Sequence, residues 1–288
     1  MNQRTRNART GFLLVLPMLV GCLVFYGIPF MLVGWFSMVT GNGTTLEFAG
    51  LRNYADLLEN PFFQLAAKNS CRFLAVGLGL ILVISYAIAL MLRSPAQRSP
   101  TLQSIVMLPY VMPVVGIVVL VDLLFAETGL WNKVYALLGL PVQDWLHGDS
   151  AFWIVVGLYL WKNAGYSVVI LLSGLLTIPD EHYIVASLDG ASALQKFWHI
   201  TMPQMWNSVF LAWVFSLINA FKCFREIFLI GGTSPGESLY MLQHFINNSF
   251  QKLSYDKMAA SCILMTAVLC LAFCLCYRWV MKKEAYKE

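Results

Sequence analysis

The chain has few charged residues for its length. Asp, Glu, Lys and Arg make up 12% of its 288 residues, against about 25% in soluble domains. Hydrophobic residues make up 59%, and the mean hydropathy is +0.68. A soluble globular domain is thereby excluded. The net charge of +4 indicates membrane topology rather than a surface for nucleic acid.

Sequence motifs for catalysis are also lacking. There is no G-x-x-x-x-G-K-[ST] loop, so any ATP must be bound by another chain. There is no H-E-x-x-H, and Leu171 stands where a nucleophile motif around Ser173 would need glycine. The 7 cysteines lie mostly in apolar runs, where they are typical small hydrophobic side chains rather than metal ligands. We therefore predict no catalytic residue, metal site or cofactor on this chain.

Six long apolar runs account for most of the sequence. Each is long enough to cross a hydrocarbon core of about 30 Å as a helix. None has the alternation that is typical of transmembrane β-strands. We predict an all-α polytopic membrane protein with six transmembrane helices in a single domain, 1–288. The predicted spans are 11–36, 73–92, 103–125, 152–177, 208–231 and 258–280.

The basic residues predict the orientation of these spans. With an even number of spans both termini lie on one side, and that side carries most of the Lys and Arg residues outside the spans. Because loops rich in Lys and Arg are cytoplasmic, we predict that both termini are cytoplasmic. The segment between the fourth and fifth spans then faces the cytoplasm too.

That segment, 178–205, begins with the pattern of a short helix. Thr177 with Asp180 matches a capping box, and three aliphatic residues follow at helical spacing. Gly190 then supplies the left-handed conformation that a helix stop requires. The pattern predicts a first short helix that ends at a tight turn.

A second helix pattern follows the turn directly. Ser192 with Gln195 repeats the capping box, apolar residues recur at helical spacing, and Pro203 closes the unit. The segment thus predicts a pair of short cytoplasmic helices. Their apolar faces either dock a cytosolic partner or only link two spans.

The same segment resembles the coupling loop of ABC importer permeases, the EAA loop, whose pattern is E-A-A-x-x-D-G-A with a later proline. Here the stretch is IVASLDGA. The stretches 48–70 and 228–250 also resemble the carbohydrate-uptake branch of this family. The positions that the resemblance assigns to ATPase coupling are Ile184, Ala186, Asp189, Gly190, Ala191, Phe197 and Pro203.

One position departs from the family pattern. Ile184 stands where the family has glutamate, which is thought to pair with a basic group on the ATPase. Glu181 lies one turn earlier on the same helix face and is the candidate replacement. Alternatively, a different partner permease carries the full motif.

The resemblance implies an import machine of several chains. It implies an unlike second permease, two ATPase subunits that bind MgATP, and an extracytoplasmic solute-binding protein. The transported solute would be a sugar or oligosaccharide, and the location a prokaryotic inner or plasma membrane. It also implies that this chain forms half of the translocation pathway.

Polar and aromatic residues within the spans are candidates for that pathway, since intramembrane charges are functional by default. Lys222 and Glu226 are four residues apart, so an internal ion pair that only holds helices together is the alternative for them. Most aromatic side chains in such a chain serve packing. The pathway candidates are Tyr110, Trp161, Lys162, Tyr166, Asn219, Phe221, Lys222, Arg225 and Glu226.

Two other classes of function remain at this stage. A stand-alone secondary transporter or channel for a small polar solute would work without an ATPase and would often show an internal repeat, which is not evident here. An intramembrane enzyme would need a catalytic constellation that the sequence lacks.

Overall fold

The structure, a computed structural model, describes residues 3–41, 46–94 and 100–284, with side chains from residue 11 to residue 282 of these ranges. The extreme ends, 1–2 and 285–288, which we predict to be cytoplasmic, lie outside the described residues. The helices are α1 (Gln3–Cys22), α2 (Ile28–Phe36), α3 (Arg52–Glu59), α4 (Pro61–Arg93), α5 (Pro100–Val111), α6 (Val114–Phe125), α7 (Leu130–Leu137), α8 (Ser150–Leu176), α9 (Asp180–Leu188), α10 (Ala193–Lys196), α11 (Met202–Lys222), α12 (Phe224–Gly231), α13 (Leu242–Gln251) and α14 (Tyr255–Glu284).

Short irregular elements join some of these helices. A π-helical turn, Leu23–Gly27, joins α1 to α2, and another, Phe197–Thr201, joins α10 to α11. Glu237–Leu239 form one turn of 3₁₀-helix before α13. Strands β1 (Val39–Thr40) and β2 (Glu47–Phe48) pair antiparallel. The rest of the described chain consists of helices and the turns that join them, which confirms the predicted all-α class.

Six helical segments of the described chain are long and apolar enough to cross a membrane, which confirms the predicted number. The second and the fifth exceed their predicted bounds because helix continues into more polar residues at their ends. The segments are Gly11–Phe36, Pro61–Arg93, Val114–Leu137, Ser150–Leu176, Ala193–Gly231 and Tyr255–Lys282.

The third span, predicted over 103–125, is divided into two helices. Helices α5 and α6 have 12 residues each, and Pro113 between them has extended backbone with φ −67° and ψ 143°. Proline lacks an N–H and clashes with the preceding turn, so the helix breaks there. The segment long enough to span is α6 together with α7, Val114–Leu137.

The chain divides into two compact units. One comprises 1–64 and 245–269, and the other comprises 65–244 and 270–288. These units are defined by contacts, whereas the single permease domain over 1–288 is defined by function, and it stays a prediction.

In the first unit, Asn53 organises the turn after the first span. Its amide donates to the carbonyls of Ser37 at 3.0 Å and Val39 at 2.9 Å, and its carbonyl accepts from the Thr40 hydroxyl at 2.7 Å. Asn53 is buried, so these bonds satisfy a polar group that would otherwise be costly to bury.

In the second unit, helix α8 lies at the centre of the core. It packs against α5 and α11, and its buried residues Phe152, Val155 and Tyr159 join the largest apolar cluster. The ring of Tyr159 lies 5.5 Å from that of Phe73, and its hydroxyl donates to the carbonyl of Ser216 at 2.8 Å. This packing holds α8 as the scaffold for the segments on either side of it.

Candidate coupling and translocation sites

Helix α9 forms the first half of the segment that the sequence predicts for coupling. It begins after Pro179, and Asp180 and Glu181 occupy its first turn, where carboxylates stabilise the positive end of the helix dipole. The predicted capping box with Thr177 is wrong, because the Thr177 hydroxyl donates to the carbonyl of Gly174 at 2.7 Å. Proline geometry and the dipole, rather than a side-chain cap, therefore define this helix start.

The turn after α9 has the geometry of a Schellman motif. Gly190 has a φ of +79°, which is the left-handed region that glycine adopts without strain. The N–H of Ala191 donates to the carbonyl of Ala186 at 2.9 Å, and the N–H of Gly190 donates to that of Ser187 at 3.1 Å. The predicted helix stop at Gly190 is confirmed.

Helix α10 begins with the capping box that the sequence predicts. The N–H of Gln195 donates to the Ser192 hydroxyl at 3.3 Å, and the N–H of Ser192 donates to the Gln195 side chain at 2.8 Å. The start of the second helix is therefore fixed by two reciprocal hydrogen bonds, as predicted.

The end predicted for this second helix is wrong, because Pro203 does not close it. The helix runs on through the π-turn 197–201 into α11, so that α10 is the N-terminal end of the fifth span. At the junction the N–H of Met202 donates to the carbonyl of Phe197. This wider turn lets Pro203 occupy the first turn of α11, where its missing N–H costs little.

Helices α9 and α10, with the adjoining π-turn, carry large apolar side chains that are exposed. Leu188 is 83% exposed and Leu194 is 68% exposed. Large apolar side chains exposed on neighbouring helices are candidates for contact with another protein or with lipid. We call these side chains the docking face. It consists of Ile184, Val185, Leu188, Leu194 and Trp198.

The other predicted coupling residues surround this face. Two shallow pockets of about 380 and 410 Å³ share Ala186, Asp189 and His199 in their linings. Glu181 and Ile184 are both exposed and lie one helical turn apart. This is the arrangement that Glu181 needs to take the role of the glutamate that the family has at the position of Ile184. Glu181, Ile184, Asp189 and Gly190 are exposed, whereas Ala186, Ala191, Phe197 and Pro203 are half-buried.

Among the charged residues within the spans, the buried Glu226 pairs with a lysine on another helix. The ammonium group of Lys162 on α8 forms an ion pair with the carboxylate of Glu226 on α12. The Glu226 side chain is 3% exposed and that of Lys162 is 16% exposed. Lys222, which the sequence offers as an alternative partner for Glu226, is exposed, as is Arg225. Of that alternative, the internal ion pair forms, but with Lys162 in place of Lys222.

The aromatic pathway candidates fall into separate places. The rings of Tyr110 and Tyr166 stack at 5.2 Å, one helical turn along α8 from Lys162. Trp161 instead lines an apolar groove of about 530 Å³ with Trp153. Asn219 is buried and Phe221 is half-buried on α11.

Sequence analysis missed Arg93, which holds α9 in place through Tyr183 and Asp180. The guanidinium of Arg93, at the end of α4, lies 4.1 Å from the ring centroid of Tyr183 and 3.0 Å from the Asp180 carboxylate. Arg93 counts in the sequence only as a topology signal. The Asp180 carboxylate within the predicted coupling segment was the available hint that a basic partner existed.

Outside the six membrane-spanning segments, His244 is a buried titratable group at the start of α13. Its ring lies 4.8 Å from that of Phe224, and its Nδ1 accepts a hydrogen bond from the N–H of Met241 at 3.2 Å. Its Nε2 has no hydrogen-bond partner among the described residues. Burial lowers the pKa of His244 to about 4, so the ring is neutral at physiological pH.

We expect acidification to destabilise the permease through His244. The unfolded chain binds a proton near pH 6.5 and the folded chain only near its pKa of about 4, so stability falls between these values. The loss should reach roughly 3 kcal/mol, since each unit of pKa corresponds to about 1.4 kcal/mol. Thermal unfolding of detergent-purified protein from pH 7.5 to 4.5 measures it.

A His244→Phe variant should lose this part of the pH dependence, although it is less stable at neutral pH because the bond from Met241 is lost. The matched control is His199→Phe, since His199 is exposed. An unchanged pH slope in His244→Phe would show that other groups cause the acid sensitivity.

Known proteins resemble this chain over nearly its whole length. A family model for the "binding-protein-dependent transport system inner membrane component" matches residues 81–285. The probable ABC transporter permease protein YurN of Bacillus subtilis is 31% identical over 278 residues, covering 94% of each chain. The trehalose/maltose transport system permease protein MalF of Thermococcus litoralis is 30% identical over 276 residues, covering 94% of this chain and 93% of the relative.

The fold is also known from a solved structure. A chain of the bacterial alginate ABC transporter, in complex with an alginate pentasaccharide-bound periplasmic protein, superposes with a TM-score of 0.79. The identity is 20%, and the match covers 95% of this chain and 94% of that chain. The six-span architecture is therefore that of an ABC importer permease. This chain belongs to the binding-protein-dependent transport system inner membrane components and is a multi-pass permease subunit of an ABC importer, not an enzyme.

Proposed function

We propose that this chain forms half of the translocation pathway for a sugar or oligosaccharide in a prokaryotic inner or plasma membrane. The observation that carries the proposal is the docking face, which is built on a helix pair between the fourth and fifth spans. The substrate class is supported by the trehalose/maltose relative and by the alginate transporter, which handle carbohydrates.

The partner of the docking face is a separate ATPase subunit that binds MgATP, one of a pair. An apolar surface with Leu188 83% exposed needs a protein to cover it when it lies outside the membrane. The Schellman turn and the capping box make the helix pair compact, so a movement of the ATPase passes to the spans as a rigid-body displacement. The exposed Asp189 and Glu181 would contact basic groups on that ATPase.

A second permease, unlike this one, is the partner of the first span. In Gly11–Phe36, 0% of the most apolar window is buried inside the chain. Membrane helices associate by close packing, and a span whose most apolar window is not buried among the described residues is available to another subunit. We place the second half of the pathway on that subunit.

The solute would pass along the α8 surface that carries the Tyr110–Tyr166 stack and the Lys162–Glu226 pair. Aromatic faces and charged groups together suit a hydroxyl-rich ring. An extracytoplasmic binding protein would deliver the solute to the outer segments 37–72 and 232–257. Trp161 faces the apolar groove instead and is a weaker candidate than the sequence suggests.

The test is a charge placed in the docking face. Leu188→Glu should lower the amount of ATPase that co-purifies from the native membrane at least tenfold, because the carboxylate would be desolvated in an apolar interface. The measurement is a pull-down in mild detergent with mass spectrometry, accompanied by uptake into vesicles with and without ATP.

The matched control is Leu138→Glu, at a residue 67% exposed directly after α7. It should leave the co-purified ATPase unchanged. Recovery of wild-type chain without any ATPase, in vesicles that still take up solute without ATP, would refute the proposal and favour a secondary transporter.

A further inference from the structure

Helix α4 is the longest continuous helix of the described chain and has specific side-chain contacts at both ends. Its 33 residues correspond to about 50 Å, enough to cross the membrane and extend beyond it. Both sets of contacts join it to segments that flank spans, one cytoplasmic and one on the opposite side.

At the cytoplasmic end, Arg93 holds helix α9. Its guanidinium lies over the ring of Tyr183 at 4.1 Å and within 3.0 Å of an Asp180 carboxylate oxygen. The Asp180 side chain is 87% exposed, whereas that of Arg93 is 20% exposed. Because an exposed ion pair contributes little, the contact with the Tyr183 ring is the main attachment.

The second half of the coupling segment is attached to the same end of α4. The ring of Phe197 packs edge-on against that of Tyr86, with centroids 5.7 Å apart. The hydroxyls of Tyr183 and Thr201 are 2.9 Å apart and link α9 to the π-turn. Helix α9 and the π-turn after α10 therefore both contact α4 and are linked to each other.

At the opposite end, α4 holds the segment between α12 and α13. The amide of Asn69 donates to the carbonyls of Glu237 at 2.5 Å and Tyr240 at 3.0 Å. The hydroxyl of Ser70 accepts from the N–H of Leu242 at 2.9 Å. Asn69 and Ser70 are buried, so these backbone groups depend on α4 for their hydrogen bonds.

We propose that α4 is a strut that couples the cytoplasmic helix pair to the outer segment 237–242, with Arg93 and Asn69 as the positioning residues at its two ends. Helix α4 has no proline or π-turn between Asn69 and Arg93 at which to kink, so a displacement of one end is expected to reach the other. The inference rests on the proposed function, because it requires an ATPase on the docking face.

The experiment measures hydrogen exchange of residues 237–242 in the complex purified with its ATPase, with and without MgATP and vanadate. In wild type, nucleotide should change the exchange rate of this segment, and the Leu242 amide is the reporter that Ser70 protects. In Arg93→Ala the nucleotide-dependent change should fall at least tenfold, with exchange in the absence of nucleotide unaltered. Arg93→Lys should restore part of it, since the charge over the Tyr183 ring remains.

Asn69→Asp removes both donors at the other end with little change in shape. It should also abolish the nucleotide response, and the double variant with Arg93→Ala should behave like either single variant. The matched control on the same helix is Val83→Ala, at a residue 69% exposed, which should respond like wild type.

A nucleotide response that persists in Arg93→Ala, or is missing from a wild-type complex that contains its ATPase, overturns the strut. A wild-type chain that purifies without any ATPase overturns the proposed function, and the strut with it. A variant that merely misfolds would lose its ATPase and its unliganded exchange pattern together, which the Arg93→Lys comparison separates from loss of coupling.

Discussion

Replacing Gly165 with alanine is expected to prevent the permease from folding stably. A Cβ at this position would lie 2.1 Å from the carbonyl oxygen of Val106 and 3.0 Å from the Cα of Met107. These are backbone atoms of α5, so no side-chain rotation can relieve the contact. Helix α5 would have to move away from α8, and overpacking of this kind costs about 3 kcal/mol.

The expected observation is at least a tenfold fall in monodisperse protein after detergent extraction, measured by size-exclusion chromatography of a fluorescent fusion. Gly157→Ala is the matched control, since Gly157 lies on the same helix and its Cβ would meet nothing within 4 Å. That control should be neutral or slightly stabilising, because alanine is about 1 kcal/mol better than glycine within a helix. Wild-type yield for Gly165→Ala would mean that α5 and α8 are not packed this closely.

The features that the sequence predicts correctly are fixed by residues close together in the chain. The turn at Gly190 and the capping box of Ser192 depend only on residues within one turn of each other, and both are confirmed. The number of spans depends on hydropathy, which is likewise a property of contiguous residues. Such features do not depend on contacts with distant parts of the chain.

The features that the sequence could not predict depend on distant partners. Helix α10 continues past Pro203 because a π-turn removes the conflict with the proline ring, and no residue pattern announces that turn. Gly165 looks like any glycine in a long apolar run until α5 is placed against it. Arg93 likewise becomes a positioning residue only once α4 and α9 meet.

The Lys162–Glu226 pair shows this limit most clearly. Local spacing favours Lys222 as the partner of Glu226, but a pair in the order Lys then Glu is the weaker orientation on a helix. A lysine 64 positions away takes that role in the structure. Because the carboxylate is buried, removing either residue of the pair leaves the charge of the other without a counter-ion.

Lys162→Met should therefore cost about 3–5 kcal/mol of stability, because it leaves the Glu226 carboxylate buried without a counter-ion. Glu226→Gln should be similarly harmful, since it leaves the ammonium group unpaired. The double variant should recover most of the loss, because replacing both charges removes the desolvation cost together with the attraction. Thermal unfolding of the purified permease gives the three values as a double-mutant cycle, with Lys222→Met, at an exposed residue, as a control that should stay near wild type.

Uptake by the double variant then assigns the role of the pair. Restored stability with restored transport means that the pair only joins α8 to α12. Restored stability without transport means that the solute needs these charges. A double variant as unstable as the worse single variant would contradict the buried ion pair itself.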